Sequence, residues 1–191
     1  MDFTIFYAWQ SDRIQKTHRY LIRDAANEAV KRIGKDAEIE DSPRLDHDTQ
    51  DVSGTPEIAG TIYRKIQDSG IFLADLTFVG STDLLENRRK LLPNPNVTLE
   101  LGYAARSVGW ERIICVMNTA FGPAEELIFD LRHRRWPICY KLEGEDGEAI
   151  RNTRKLAHPA LIATSVTCYS SFRLRAQFCR SYRLDQRVFD A

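Results

Sequence analysis

Ile71-Phe72-Leu73-Ala74 runs without a polar side chain and is closed by Asp75-Leu76-Thr77. An unbroken apolar run of this length, flanked by polar residues, suits a strand covered on both faces. The segments beside it have another period. Ile58, Ile62 and Ile66 share one face of a helix that starts at Thr55-Pro56-Glu57 and stops before Gly70. That start combines an N-cap hydroxyl, proline at the first helical position and an early acid. Further on, Val97, Leu101, Ala104 and Val108 form a second such stripe.

The same alternation extends along the chain. Phe3 to Trp9 reads as a first strand. Ile22, Ala25, Ala26, Ala29, Val30 and Ile33 give a helix over about 17–33, with Gly34 as its stop. Ala37 to Glu40 is a weak second strand, Arg112 to Asn118 a fourth and Trp136 to Leu142 a fifth. Alternating strand and helix patterns predict an α/β fold, a five-stranded parallel sheet with helices on both faces. Asp41 to Gly54 is expected as a long polar loop, and Phe78 to Leu92 as a loop with a charged helical piece near its middle.

The 191 residues suffice for one domain, with 43% hydrophobic and 28% charged side chains. The expected division is a domain over 1–150 and a basic tail over 151–191. Residues 1–150 carry 19 basic and 25 acidic side chains, and 151–191 carry 8 and 2, so a net charge of zero hides −6 against +6. No 3.6 or 2 periodicity is clear in the tail. The balance gives no reason to expect nucleic acid or membrane as partner. Cys115, Cys139, Cys168 and Cys179 form no CxxC pair and read as free thiols of a reducing compartment. Met1-Asp2-Phe3-Thr4-Ile5 has no basic, apolar leader pattern, so a cytoplasmic location is expected.

In an open parallel sheet, ligands bind outside the carboxyl ends of the strands. The groups expected there are Tyr7, Trp9, Gln10, Ser11 and Asp12 around strand one, Asp75 and Thr77 after strand three, and Asn94, Asn96 and Glu100 beyond. Glu100 is the sharpest of them, a carboxylate among Val97, Leu99, Leu101, Gly102 and Ala104 near a helix start. It either satisfies the helix dipole or works on a ligand. Asn96 suits the cap of that helix. Asp75 suits either backbone capping or ligand contact. Tyr7 and Trp9 are candidates for stacking on a ring. Asp46, His47 and Asp48 match no standard metal spacing, and no metal is expected. No GxGxxG or Walker A sequence occurs, so no dinucleotide or P-loop fingerprint is present. The basic run Arg132 to Arg135 reads as solvated surface.

Taken in order, these segments resemble a Toll/interleukin-1 receptor (TIR) domain of the bacterial, anti-phage defence type. Ile5-Phe6-Tyr7-Ala8-Trp9-Gln10-Ser11-Asp12 resembles the family's first strand and its Ser/Asp turn. Residues 54–77 resemble its second helix and third strand. Asn96-Val97-Thr98-Leu99-Glu100-Leu101-Gly102 resembles the segment holding the family's catalytic glutamate. The likeness spans roughly residues 3–142. Val97-Thr98 stands where the family usually has Trp-Cys.

The resemblance implies a flavodoxin-like three-layer fold and an NAD+ glycohydrolase that cuts the nicotinamide–ribose bond. Glu100 would be catalytic, with Tyr7, Trp9, Ser11, Asp12, Asp75 and Asn96 around the substrate. NAD+ is then substrate rather than cofactor, no cofactor is expected, and self-association would activate the enzyme, with a sensor or partner protein left open. Two other readings stand beside it. A nucleoside deoxyribosyltransferase-like enzyme would use Glu100 as nucleophile and need a second acid, for which Asp75 is the candidate. A non-catalytic TIR interaction module would need Glu100 only for structure.

Overall fold

The computed structural model describes residues 3–35, 43–47, 57–82, 89–132 and 137–189, the last nineteen of them by backbone alone. In chain order the elements are β1 (Thr4–Ala8), α1 (Arg19–Ile33), β2 (Arg44–Asp46), α2 (Ile58–Asp68), β3 (Ile71–Asp75), β4 (Phe78–Ser81), β5 (Leu91–Pro93), α3 (Pro95–Ser107), β6 (Ile113–Asn118), α4 (Phe129–Arg132), β7 (Ile138–Tyr140) and α5 (Gly147–Phe189). Five strands form one sheet in the order β2-β1-β3-β6-β7, and each neighbouring pair is parallel. This is the flavodoxin-like order, and its reversal falls between β1 and β3.

Both central strands are buried along their full length, as their unbroken apolar sequence requires. Their side chains alternate between two layers. Ile5, Tyr7, Ile71, Leu73, Ile114 and Val116 pack with Leu21, Ile22, Ala25 and Ala26 of α1 and with Ala157, Leu161, Cys168 and Tyr169 of α5. Phe6, Ala8, Phe72, Ala74 and Met117 pack with Ile66 of α2 and with Val97, Leu101 and Ala104 of α3. Gly70 lets β1 and β3 close up, since a Cβ there would lie 2.3 Å from the Phe3 ring.

The structure departs from the sequence expectations in three places. The second strand is Arg44–Asp46, inside the stretch expected as loop, while the expected strand at 37–40 lies outside the described residues. As a sheet edge of three residues, it has too few side chains to show a period. Part of the 78–92 loop is an antiparallel hairpin, β4 against β5. Thr55 and Pro56 of the expected helix start also lie outside the described residues, as do residues 84–88 of the charged helical piece expected around Leu84 to Lys90, whose last two residues, Arg89 and Lys90, are not helical.

The third departure is the tail. The division expected at 150/151 falls inside α5, a helix of 43 residues whose first half belongs to the core. Phe3 and Tyr169 meet edge to face at 4.5 Å. Periodicity fails here because Thr153 and Ser165 occupy buried positions and Pro159 interrupts the helix. Proline removes one backbone hydrogen bond, a loss that packing against α1 offsets. No described helix is long and apolar enough to cross a membrane.

Candidate functional site

Where the strand order reverses, a cleft of about 440 Å³ opens above β1. Trp9, Gln10 and Ser11 leave β1 as its floor. Ile58, Ala59, Ile62 and Tyr63 of α2 form one wall, and Asn94, Asn96, Leu99 and Glu100 the other. Glu100 is half-buried and is the only charged side chain in the lining among the described residues.

Asn94 builds the second wall. Its side-chain oxygen accepts from the backbone N–H of Asn96 (2.9 Å) and Val97 (3.1 Å), which caps α3, and Pro95 follows at the first helical position. Its amide donates to Asp12 Oδ2 at 2.6 Å, so the helix start is tied to the turn after β1. Glu100 then falls in the second turn of α3, on the cleft side. The Tyr63 and Tyr103 rings meet at a 33° tilt with centroids 4.6 Å apart, and the Tyr103 hydroxyl donates to Gln67 Oε1 at 3.1 Å. These contacts join α2 to α3 and set the distance between the walls.

Trp9, Ser11, Asn96 and Glu100 thus line one cleft, as expected from the sequence. Three expectations need correction, those for Tyr7, Asp75 and Asn96. Tyr7 is 1% exposed and faces the α1/α5 layer, so it cannot stack on a ligand. Burial, and after it the Asp75 charge, hold its hydroxyl well above the usual tyrosine range. Asp75 is fully buried: it accepts from the Thr77 N–H (3.0 Å) and from Gln10 Nε2 (3.3 Å), beneath the cleft floor rather than in it. It therefore orients Gln10, whose Oε1 in turn accepts from the Arg13 N–H at 2.9 Å. Asp12 is engaged at the rim by Asn94. Asn96 does not cap α3; Asn94 does, and Asn-Pro ahead of an apolar stripe was the available signal.

Trp9 carries the Arg19 guanidinium over its ring, 3.5 Å from the centroid, so one face of the indole is occupied. The α2 wall was not foreseen, because Ile58 and Ile62 read as core. Ile58 is in fact 64% exposed, and Leu99 opposite it 62%. The cleft therefore has an apolar lip over a polar floor.

Beneath the carboxyl ends of β6 and β7 lies a buried polar cluster centred on Asn118. Its amide donates to the Leu142 carbonyl (2.8 Å), and its oxygen accepts from Ala120 and Leu142 N–H (both 3.1 Å). His18 Nε2 lies 3.2 Å from the same amide, and its Nδ1 lies 3.0 Å from the Ile14 carbonyl. Those partners assign the proton to Nδ1. Burial depresses the His18 pKa, against the opposing pull of Asp75.

A larger cavity, about 570 Å³, lies toward the entry ends of β6 and β7, against α5. Its walls are mostly apolar, including Ile113, Leu127 and Ile138, and Glu111 is the one charged lining group among the described residues. Burial pushes the Cys115 thiol there up to about 12, which leaves it unreactive. It sits away from the strand-order reversal.

No protein-family model matches the chain, and no curated protein does. Among solved structures, it is similar to a 2-desoxiribosyltransferase from Leishmania mexicana at a TM-score of 0.36 and 16% identity. The match covers 61% of this chain and 65% of that one, just under two-thirds of the relative.

Proposed function

We propose that this protein cleaves an N-glycosidic bond, with NAD+ as the substrate and Glu100 as the catalytic carboxylate. One observation carries the proposal: among the described residues the lining of the cleft at the strand-order reversal holds a single carboxylate, while Asp12 is held at the rim by Asn94 and Asp75 is buried under the floor. Ordinary glycosidases use two carboxyl groups, one of them to protonate a departing oxygen. Nicotinamide leaves NAD+ as a neutral molecule and needs no proton. Its departure takes the bonding electron pair from C1′ and leaves a ribosyl cation. Glu100 opposes that charge and accepts hydrogen bonds from the ribose hydroxyls. Water then adds at C1′ and releases a proton, giving ADP-ribose. Asn96 and Ser11 supply further polar contacts. Ile58 and Leu99 bracket a flat ring.

A second reading has its own supporting observation. The described lining contains no cation to meet a pyrophosphate, which suits an uncharged deoxynucleoside. In that reading Glu100 attacks C1′ and a free base later displaces it. The departing base must then draw its proton from solvent, and the incoming base returns one to solvent when it displaces Glu100, since Asp75 is out of reach.

Nicotinamide release from NAD+, followed over a range of protein concentrations, tests the first reading. Turnover that falls at least a hundredfold in Glu100→Gln is expected. Base exchange between deoxynucleosides with NAD+ left intact would establish the second reading instead. Absence of both activities in every assembly state would end the enzymatic proposal.

A further inference from the structure

His18 joins two parts of the molecule that are far apart in sequence. The segment from Gln10 to His18 leaves β1 and leads into α1, and its first residues floor the cleft. Gln10 Oε1 accepts from the Arg13 N–H at 2.9 Å, and Asp12 accepts from Asn94 at 2.6 Å. Arg13 donates to the Phe78 carbonyl through Nε (2.9 Å) and a terminal nitrogen (2.7 Å). At its far end the segment meets the carboxyl end of β6 through His18, which is fully buried.

Asn118 dictates which form of His18 fits there. Leu142 and Ala120 N–H donate to the Asn118 side-chain oxygen, and the Leu142 carbonyl accepts from its nitrogen. The amide cannot turn over without breaking these bonds. Its remaining N–H therefore points at His18 Nε2, 3.2 Å away, which must carry a lone pair. The other ring nitrogen already lies against the Ile14 carbonyl at 3.0 Å. A second proton on the ring would set one N–H against another in a buried place.

The neighbouring elements bear on that proton in different senses. Burial is the largest influence and opposes a charge on the ring. Arg13 opposes it too, and its guanidinium lies over Phe121, whose ring is 5.4 Å from the imidazole. Asp75 at the end of β3 and the Ile14 carbonyl favour it. Tyr140 of β7, 6.3 Å away, spends its hydroxyl on the Thr17 carbonyl and is kept neutral by burial. The balance holds the ring below its ordinary pKa. A ring freed to water recovers that ordinary value, about 6.5. Each pH unit below it favours the freed ring by up to about tenfold, until the buried ring takes the proton itself.

We infer that the His18–Asn118 contact is a pH-sensitive latch, which holds the Gln10 to His18 segment and with it the cleft floor against the sheet, and releases that segment when the ring takes a proton. The latch acts on the cleft whichever reaction Glu100 serves, and rests only on the cleft being the ligand site.

Nuclear magnetic resonance of the Glu100→Gln chain, whose cleft lining then lacks its titrating carboxylate, tests the latch between about pH 7.5 and about pH 5. The His18 ring, the Asn118 side-chain amide and the backbone amides of Gln10 and Ser11 should shift with one shared midpoint, while those of Phe72 and Leu73 stay in place. NAD+ should bind about fivefold more weakly, or worse, below that midpoint than above it. Adding His18→Gln supplies an oxygen that can accept from Asn118 but takes no proton, so the shared step should vanish. Should that variant not fold, the titration of the Glu100→Gln chain decides alone. Absence of NAD+ binding at every pH would count against the proposed reaction only, since the amide shifts still decide the latch. Three results overturn the inference: Gln10 and Ser11 hold still while His18 titrates, they still shift after His18→Gln, or His18 takes its proton only as Phe72 and Leu73 lose their folded positions.

Discussion

Asn94 and Asn118 show how single amides position a site from different depths. Asn94 caps α3, so Asn94→Ala should cost about 1 kcal/mol of stability. It also removes the donor to Asp12 and lets the Glu100 wall drift from β1. Turnover should therefore fall several-fold more than the stability loss explains, as paired urea denaturation and activity measurements would show. Asn118→Ala leaves the buried Leu142 N–H and carbonyl without partners, at about 1–3 kcal/mol for each orphaned group. Its effect should appear in the urea midpoint.

His18 and His158 add a pH dependence. Burial is the chief cause that lowers both below the ordinary imidazole value, so the unfolded chain takes up protons first as pH falls. Their contribution to stability is intact above about pH 6.5 and declines as pH drops toward the lowered folded values. Melting temperature should fall over that range, and His18→Gln should flatten the slope. A slope unchanged by that substitution would show that other groups control it.

At the level of elements, the sequence was legible wherever one kind of contact dominated. β1, β3 and β6 are apolar because both faces are covered. α1 and α3 repeat every three to four residues because one face is covered. Glu100 stood out for the same reason, as a charge interrupting such a stripe. Tyr7 and Asp75 were misjudged because a strand end looks alike from either side of the sheet, and only packing decides which residues surface. Ile58 failed in the opposite sense, an apolar residue that keeps its helical period while standing at the cleft mouth. α5 was illegible because small and polar residues serve as its core contacts. Leu161 is its most buried apolar side chain among the described residues, 2% exposed, and Leu161→Ala should cost about 2–5 kcal/mol in a denaturation experiment. A chain ended at residue 150 should fail to give a cooperative melt, as calorimetry would reveal.

Across the whole molecule, the two layers have separate duties. The α2/α3 layer carries the cleft, and in the α1/α5 layer the C-terminal helix docks on the first one. The basic segment 151–191 meets the acidic remainder of the chain where Arg154 pairs with Asp24 of α1 at 2.7 Å. The sheet between them is pinned by Phe3 under Tyr169 and by the Tyr140 hydroxyl donating to the Thr17 carbonyl at 2.9 Å.

The docking of α5 on α1 also has a consequence in time. A chain is made from its N-terminus, and domains acquire structure as their parts emerge. Among the described residues, the buried cluster shared with α2 and α3 ends at Leu131, whereas Leu21, Ile22 and Ala25 of α1 stay uncovered until Leu161 to Tyr169 arrive. The cleft layer can therefore mature on the nascent chain while the opposite layer still shows its apolar stripe. During that interval the protein would be most open to capture by chaperones and most sensitive to any pause in synthesis between residues 132 and 169.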